Sequence, residues 1–168
     1  MERQAGIDAP YRGYSLNGIM APMHTVSIHT DGGSRGNPGP AATGVVIGPP
    51  FGKEYSSFLG TATNNEAEYQ AAILALQKVL ALAGKKEAKN LHITMHMDSN
   101  LAVEQLSGNW KIEGETIIPL FIKIHNLTLA FGKISYVHVP REKNKSADAL
   151  VNQELDKQTG AGSLFANS

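Results

Sequence analysis

Hydrophobic and polar positions alternate in three short stretches early in the chain, which is the pattern of half-buried β-strands. These stretches are 25–30, 42–47 and 53–59. Asp31 follows the first of them, and the cluster of Gly, Pro and Asn residues from Gly32 to Pro40 predicts a sharp, exposed turn. The short connections between the stretches predict an antiparallel meander. The pattern therefore places a carboxylate at the end of the first strand.

The period then changes to that of a helix. A stretch rich in Ala and Leu opens at 61–66 and continues to residue 82 without Gly or Pro, which predicts a long helix followed by a linker over 84–90. Thr63 and Glu66 have the spacing of a capping box, so Glu66 is expected to bond back to the first turn. Glu68 instead falls on the apolar stripe of this helix.

A buried carboxylate at Glu68 is costly unless something pairs with it. We expect that partner to be a cation. The alternative is a rim glutamate whose stem packs against the domain while its head reaches water.

The second half of the chain alternates strands and helices. Residues 91–98 predict a strand that ends in Asp98, and Ser99 is expected to cap the short helix after it. His92 and His96 lie four residues apart in this strand, about 13 Å from each other, which is too far to share a metal ion. The remaining predicted elements are helices over 101–106, 116–131 and 146–158 and a strand over 134–139.

Composition restricts the range of functions. The chain has 168 residues, of which 42% are hydrophobic, and its 15 basic and 15 acidic residues give a formal charge of zero. It therefore has no overall attraction for phosphate polymers, and any affinity for nucleic acid must come from a local patch. Cysteine is absent, which excludes disulfides and thiolate metal sites. Because neither a long apolar run nor a signal-peptide pattern is present, we expect a cytoplasmic protein without membrane contact, and a monomer.

The predicted organisation is a single domain with two irregular ends. Residues 1–22 show neither helical nor strand periodicity and are predicted to form an irregular or disordered arm. Residues 23–158 carry the periodic pattern of an α/β domain. Residues 159–168 are predicted to be a flexible tail.

Four acids occupy comparable places in this pattern. Asp31 and Asp98 end strands, while Glu68 and Asp148 lie in the first turns of helices. Each has an ordinary explanation alone: an aspartate often forms turns, and an acid such as Asp148 is favoured in a helix's first turn. If the strands share one sheet, however, all four acids can converge at one end of it.

Converging carboxylates repel one another unless cations neutralise them. Oxygen ligands without cysteine select Mg²⁺, with Mn²⁺ as a substitute, over Zn²⁺. Two such ions about 4 Å apart activate water and stabilise the leaving oxygen in phosphodiester hydrolysis. The four acids therefore predict metal-assisted phosphoryl transfer to water.

Two loop segments leave alternatives open. Trp110, the only tryptophan, is either a core anchor or a stacking platform on the rim of a groove, and the core is the favoured interpretation. The segment 140–145 carries three basic residues and one acid and is equally consistent with a solvated loop or a phosphate contact.

Four segments, in this order, resemble the signature segments of type 1 ribonuclease H. The resemblance covers about residues 24–158. The segments are Thr30-Asp31-Gly32-Gly33-Ser34-Arg35-Gly36-Asn37-Pro38-Gly39-Pro40, Thr63-Asn64-Asn65-Glu66-Ala67-Glu68-Tyr69, Met97-Asp98-Ser99-Asn100 and Asn144-Lys145-Ser146-Ala147-Asp148-Ala149-Leu150.

This resemblance implies a ribonuclease H-like α/β fold, with a five-stranded mixed sheet in the order 3-2-1-4-5 flanked by helices. It also implies endonucleolytic cutting of the RNA strand of an RNA/DNA hybrid, with 3′-hydroxyl and 5′-phosphate ends, and a role in removing RNA primers and R-loops. The metal-binding catalytic acids carried over by position are Asp31, Glu68, Asp98 and Asp148.

The substrate-binding residues are carried over in the same way. Asn37, Asn64 and Asn65 would line the minor groove, where amide side chains can bond 2′-hydroxyls without sequence preference. Thr63 would take part in a DNA-phosphate pocket. The other predicted contacts are Gly32, which leaves room beside the first acid, Ser99 and Trp110.

The chain also departs from the family pattern. Glu66 stands where well-known members have an arginine beside the phosphate pocket, and the basic insertion that many bacterial members carry after the tryptophan segment is missing. The exchange at Glu66 predicts a weaker hold on the DNA strand, and the missing insertion together with zero net charge predicts weak hybrid affinity or help from a partner domain. The family's mobile catalytic histidine belongs in the loop before the last acid. His138 falls inside a predicted strand, so Arg141 is the better candidate for a mobile group that helps product or metal leave.

Other functions remain open at this point. A non-catalytic hybrid-binding module usually lacks one of the acids, whereas all four are present here. A resolvase, transposase or exonuclease would share the acids but not the paired asparagines at 64 and 65 or the Gly-Asn-Pro-Gly segment. A retroelement-derived ribonuclease H domain has the same pattern and is not distinguished by sequence.

Overall fold

The computed structural model describes residues 23–165, with side chains up to residue 160. Five strands, four α-helices and a 3₁₀ turn at Arg141–Lys143 make up this part of the chain. The predicted arm at 1–22 lies outside it, as do residues 166–168. In chain order the elements are β1 His24–Ser34, β2 Gly39–Ile47, β3 Lys53–Ala62, α1 Asn64–Ala88, β4 Leu91–Met97, α2 Asn100–Leu106, α3 Ile117–Thr128, β5 Lys133–His138 and α4 Lys145–Phe165.

The five strands form one mixed sheet in the order β3-β2-β1-β4-β5, as the family resemblance implied. The first three strands are the predicted antiparallel meander, and β1 pairs in parallel with β4 on its other side. The parallel pairing ends at Thr30 and Met97. The antiparallel pairing of β1 with β2 continues as far as Ser34 and Ala41.

The predicted position of Asp31 at the end of β1 is therefore corrected. Asp31 lies within the strand, opposite Gly44 of β2. The difference arises because pairing with β2 holds the glycine segment extended, an effect that the local sequence does not reveal. Asp31 is nevertheless the first residue beyond the parallel ladder with β4.

Helices cover both faces of the sheet, and adjacent glycines of β1 show how closely they approach. A Cβ on Gly32 would lie 2.1 Å from the carbonyl carbon of Ala67 in α1. A Cβ on Gly33 would lie 3.1 Å from the side chain of Val151 in α4. Successive residues of a strand point to opposite faces, so α1 and α4 pack on opposite sides of β1.

The larger hydrophobic core lies between the sheet, α1 and α3. Val26, Ile28 and Ile93 from the sheet are fully buried there against Tyr69 and Leu76 of α1. On the other face, a smaller cluster joins Ala42 of β2 to Val151 and Leu155 of α4. These two packed layers fix the positions of α1 and α4 relative to the central strand.

Some of the predicted helix ends are confirmed and others are wrong. The capping box is confirmed: the Thr63 hydroxyl accepts from the backbone N–H of Glu66, and the Glu66 carboxylate accepts from the backbone N–H of Thr63. The predicted linker over 84–90 is wrong for most of its length, because helix resumes after a break at Gly84, where φ is 78°, and ends at Ala88. Glycine tolerates this left-handed conformation, so the break interrupts the helix without ending it.

Helix α4 also runs beyond its predicted end near Gln158. It continues to Phe165, so the start of the predicted flexible tail is helical. Thr159 donates its hydroxyl hydrogen to the backbone carbonyl of Leu155 at 2.9 Å, a local bond that the helix accommodates. Among residues 23–165, no helix combines the length and the apolar character needed to cross a bilayer.

Candidate active site

Three of the four predicted acids meet at one end of the sheet. Asp31 lies just beyond the parallel ladder of β1 and β4, Asp98 follows the last residue of β4, and Glu68 lies in the second turn of α1. Each offers a carboxylate oxygen, and the three atoms lie within 4.8 Å of one another. The close approach at Gly32 permits this arrangement, because a side chain there would push α1 and Glu68 away from Asp31.

Burial and mutual repulsion disfavour the charged forms of these groups. Asp31 and Glu68 are only 6% and 7% exposed. Burial, followed by the charges of Asp98 and Asp148, raises the pKa of Asp31 to about 7. Burial, followed by the charges of Asp31 and Asp98, raises the pKa of Glu68 well above its usual range. These directions are those of a carboxylate cluster that lacks a compensating positive charge.

The donor set fits a hard divalent cation. Oε2 of Glu68 is buried and has no hydrogen-bond partner among the described residues. An unpaired buried oxygen beside two further carboxylates is costly unless a cation coordinates it. Oxygen ligands of this kind suit Mg²⁺ or Mn²⁺ rather than Zn²⁺.

The fourth predicted acid, Asp148, lies at the side of the same cavity. This cavity has a volume of about 380 Å³ and is lined by all four acids. Asp148 is not part of the three-residue cluster. One of its oxygens accepts from Arg141 at 3.1 Å, and the other accepts from the Asn152 side chain at 3.3 Å. The structure thus brings Asp148 to the site in an ion-paired form.

Arg141 lies in the 3₁₀ turn before α4, and its side chain is 78% exposed. Its positive charge lowers the pKa of Asp31, although less than burial and the acids raise it. His138 is the last residue of β5, as the sequence predicted for a strand position. Its Nε2 lies 3.2 Å from the backbone carbonyl oxygen of Asp98, to which it donates in the matching tautomer.

The predicted asparagines tie the glycine turn to the start of α1. The side-chain oxygen of Asn37 accepts from the backbone N–H of Asn64 at 3.1 Å. The side-chain oxygen of Asn64 accepts from the backbone N–H of Ser34 at 2.9 Å, and Asn64 lines the cavity. The side-chain oxygen of Asn65 is buried without a hydrogen-bond partner among residues 23–160. Thr63 caps the same helix end.

The last two predicted substrate contacts are Ser99, which caps a helix, and Trp110, which lies on the surface. The Ser99 hydroxyl accepts from the backbone N–H of Ala102 at 3.2 Å and caps α2, as predicted, next to Asp98. Trp110 is 49% exposed, so the favoured interpretation of it as a core anchor is wrong. Its loop places it on the surface, because α2 ends at Leu106 and the next residue that packs against the core is Ile112.

Two residues that support the site escaped the sequence reasoning. Asn144 is 1% exposed, and its side-chain N–H donates to the carbonyl oxygen of Thr30, next to Asp31, at 2.9 Å. Asn152 bonds Asp148 one helical turn earlier. The i, i+4 spacing of Asp148 and Asn152 was a usable sign, as was an asparagine directly before a helix.

Among residues 23–160, the histidines of the sheet do not form a candidate metal site. His96 stacks on His29 of the neighbouring strand, with ring centroids 4.6 Å apart. Nε2 of His92 lies 2.8 Å from the Ser135 hydroxyl. Within residues 23–160, the three-acid cluster is the sole group of three or more candidate ligands.

Comparison with known proteins places this geometry in a family. The family model described as reverse transcriptase-like matches residues 29–154. Ribonuclease HI of Halobacterium salinarum is 38% identical over 146 residues, which are 84% of this chain and 70% of that protein. The bifunctional protein Rv2228c of Mycobacterium tuberculosis is 42% identical over 138 residues, or 78% of this chain. The chain spans only 35% of that longer relative.

A solved structure agrees with these relatives. The crystal structure of LC11-RNase H1 in complex with an RNA/DNA hybrid has a TM-score of 0.75 and 41% sequence identity. The match covers 80% of this chain and 99% of that one. The sheet order, the clustered acids and the matched sequence agree, and the chain belongs to the type 1 ribonuclease H family.

Proposed function

We propose that this chain hydrolyses the RNA strand of RNA/DNA hybrids with the help of divalent cations, leaving 5′-phosphate and 3′-hydroxyl ends. The observation that carries the proposal is the cluster of three carboxylates within 4.8 Å, with an unpaired buried oxygen on Glu68. Its similarity to a ribonuclease H1 that was solved with a hybrid supports the choice of substrate.

Asp31, Glu68 and Asp98 are the residues that would hold the cations. When bound, Mg²⁺ would activate the attacking water and neutralise charge that develops on the phosphodiester. Asp148 reaches the same cavity and is the fourth ligand of the proposed centre. Mg²⁺ is the proposed ion and Mn²⁺ a substitute, since every donor is a carboxylate oxygen.

The amide side chains of Asn37, Asn64 and Asn65 would bind the hybrid. They surround the start of α1 beside the acids, where they can exchange hydrogen bonds with 2′-hydroxyls on the RNA strand. Thr63 and Ser99 would contribute hydroxyl groups on either side. Gly32 permits the close packing of strand and helix at the acids, and Trp110 offers an exposed ring for stacking.

Arg141 would assist turnover by holding Asp148 and releasing it. The ion pair between these residues is exposed and therefore weak, worth about 1 kcal/mol or less. Competition between the guanidinium and a cation for the same carboxylate would favour departure of product or metal after cleavage. His138 is bonded at the end of β5 and is the less suitable group for this role.

The proposed cellular role is removal of RNA primers and R-loops by a monomer in the cytoplasm. With no net charge and no basic insertion after Trp110, the chain would bind hybrids weakly by itself. The second candidate is a retroelement-derived domain, with which the match to the reverse transcriptase-like family model is also consistent. Both candidates predict the same chemistry.

The test is cleavage of an RNA/DNA hybrid whose two strands carry different labels, with duplex RNA and duplex DNA as parallel substrates. We expect cutting of the hybrid's RNA strand alone in Mg²⁺ or Mn²⁺, with no cutting in chelator. Cutting of duplex DNA at a similar rate would indicate another nuclease activity. Binding of hybrid without cutting in either metal would indicate a non-catalytic module.

A further inference from the structure

A buried hydrogen-bond chain joins α1 to the loop that carries Trp110. The Tyr69 hydroxyl donates to the side-chain oxygen of Gln105 at 2.8 Å. The side-chain N–H of Gln105 donates to the backbone carbonyl oxygen of Lys111 at 3.0 Å. Tyr69 is fully buried and Gln105 is 5% exposed. Both ends of the glutamine amide are therefore used, as a buried amide requires.

The same loop has further attachments on both sides of this chain. The backbone N–H groups of Asn109 and Trp110 both donate to the carbonyl oxygen of Glu104, at 2.9 and 3.2 Å. The Glu104 carboxylate also accepts from the Asn109 side chain at 2.8 Å. The loop is thus fastened to the end of α2 directly before Trp110, and Gln105 fastens it directly after.

The far end of the loop reaches the first turn of α1. The Glu66 carboxylate accepts from the backbone N–H of Thr63, which holds the pKa of Glu66 below its usual range, and the side chain of Thr116 is close enough to lower it further. Lys111 is linked to Tyr69 through Gln105, and Thr116 lies near Glu66. The loop between Lys111 and Thr116 therefore runs toward the end of α1 that carries Asn64 and Glu68.

We propose that Gln105 is a positioning residue that holds this loop so that Trp110 presents its ring beside the substrate surface. Tyr69 is the group that fixes the orientation of the Gln105 amide. Without these hydrogen bonds the backbone at Lys111 loses its attachment to Gln105, and the exposed ring of Trp110 samples other positions. This inference rests on the proposed function for the identity of the substrate, but not for the loop geometry itself.

The geometry can be tested in the free protein, because Trp110 is the single tryptophan and all tryptophan emission comes from it. We expect Gln105→Leu and Tyr69→Phe each to change the emission and to raise acrylamide quenching about twofold. The control is Tyr55→Phe, which removes the hydroxyl of a tyrosine on β3 that packs against the same core. It should leave both readouts at the wild-type values. Unchanged quenching in a folded Tyr69→Phe protein would overturn the proposal.

The effect on substrate is measured as steady-state cleavage of an RNA/DNA hybrid. Loss of one stacking contact should raise KM about fivefold while kcat stays within about twofold. In a Trp110→Ala background, Gln105→Leu and Tyr69→Phe should raise KM no further, because the ring that they position is gone. An equal additional rise in that background, or a fall in kcat alone, would contradict a positioning role. Should the wild-type protein fail to cut hybrid, the proposed function would fail, whereas the quenching comparison would still decide the loop geometry.

Discussion

The carboxyl groups of this site occur in two different environments. Asp31, Glu68 and Asp98 crowd together at the end of the sheet, and two of them are more than nine-tenths buried. Asp148 lines the same cavity with a side chain that is 30% exposed, and it pairs with Arg141. The three clustered acids have no cationic side chain as a direct partner among the described residues, while the fourth has one.

This contrast separates a preformed part of the site from an adjustable part. Rigid strands and a closely packed helix hold the clustered acids together in spite of their repulsion. That repulsion lowers the stability of the fold, as is common where a site binds a charged ligand. Asp148 sits on the first turn of α4 in a solvated pair, so it can exchange partners at little cost.

Loss of one clustered acid should have the largest effect on hybrid cleavage. Asp31→Asn preserves the shape of the side chain but removes one charged ligand, and we expect hybrid cleavage to fall about 10³-fold or more. Cleavage rates at saturating Mg²⁺ provide the measurement. Asp156→Asn alters an exposed aspartate of α4 that pairs with Arg35 and is the control, which should keep wild-type activity. A loss of less than tenfold in Asp31→Asn would remove the cluster from the mechanism.

The close approach of β1 and α1 should be the next most sensitive feature. A Cβ at Gly32 would lie 2.1 Å from the carbonyl carbon of Ala67 and 2.3 Å from the backbone nitrogen of Glu68. Gly32→Ala should lower the free energy of unfolding by about 3 kcal/mol, because neither backbone atom can move aside cheaply. Urea unfolding checks this. Gly33→Ala, with its nearest contact at 3.1 Å on a side chain, should cost clearly less.

The repulsion among the clustered acids should appear as a pH dependence of stability. The pKa of Asp31 is about 7 in the folded protein and near 3.8 in the unfolded chain, so the folded state binds more protons between these values. The free energy of unfolding of the metal-free protein should therefore fall as pH rises from 5 to 8, by about 3 kcal/mol. Urea unfolding in chelator at pH 5 and pH 8 measures this fall. Asp31→Asn should make this fall smaller, because burial of Glu68 still raises the pKa of that group, and a rise toward pH 8 in the wild-type protein would contradict the account.

Loss of the solvated acid should have the smallest effect. We expect Asp148→Asn to lower hybrid cleavage about tenfold, because this fourth ligand lies at the side of the cavity and the three clustered acids would still hold a cation. Its unfolding free energy should change by less than about 1 kcal/mol, since the ion pair with Arg141 is exposed. Cleavage rates and urea unfolding of the same preparation provide both values. A loss as large as that of Asp31→Asn would erase the distinction between the two environments.

Much of this site could be predicted from the sequence because its elements have local sequence patterns. The spacing of Thr63 and Glu66 predicted a capping box, and the helical stripe predicted a buried carboxylate at Glu68. Both depend on residues within a few turns of one another. The strand order followed from the family resemblance, since local patterns carry no information about which strands become neighbours.

The features that sequence missed depend on contacts between distant parts of the chain. Pairing with β2 keeps β1 extended through Ser34, although the glycine cluster by itself suggests a turn. Trp110 is exposed because the loop around it is fastened by polar bonds to α2 and not drawn into the core by its ring. Asn144 supports Asp31 through the backbone of Thr30, a contact that no spacing within the sequence reveals.

The most direct test of the central claim is the thermal unfolding midpoint of the wild-type protein and Asp31→Asn as Mg²⁺ is added at neutral pH. A cation that binds only the folded cluster must stabilise it. We predict a midpoint that rises with millimolar Mg²⁺ for the wild type and stays constant for Asp31→Asn. An unchanged wild-type midpoint, or the same rise in both proteins, would show that the clustered acids do not form the divalent cation site.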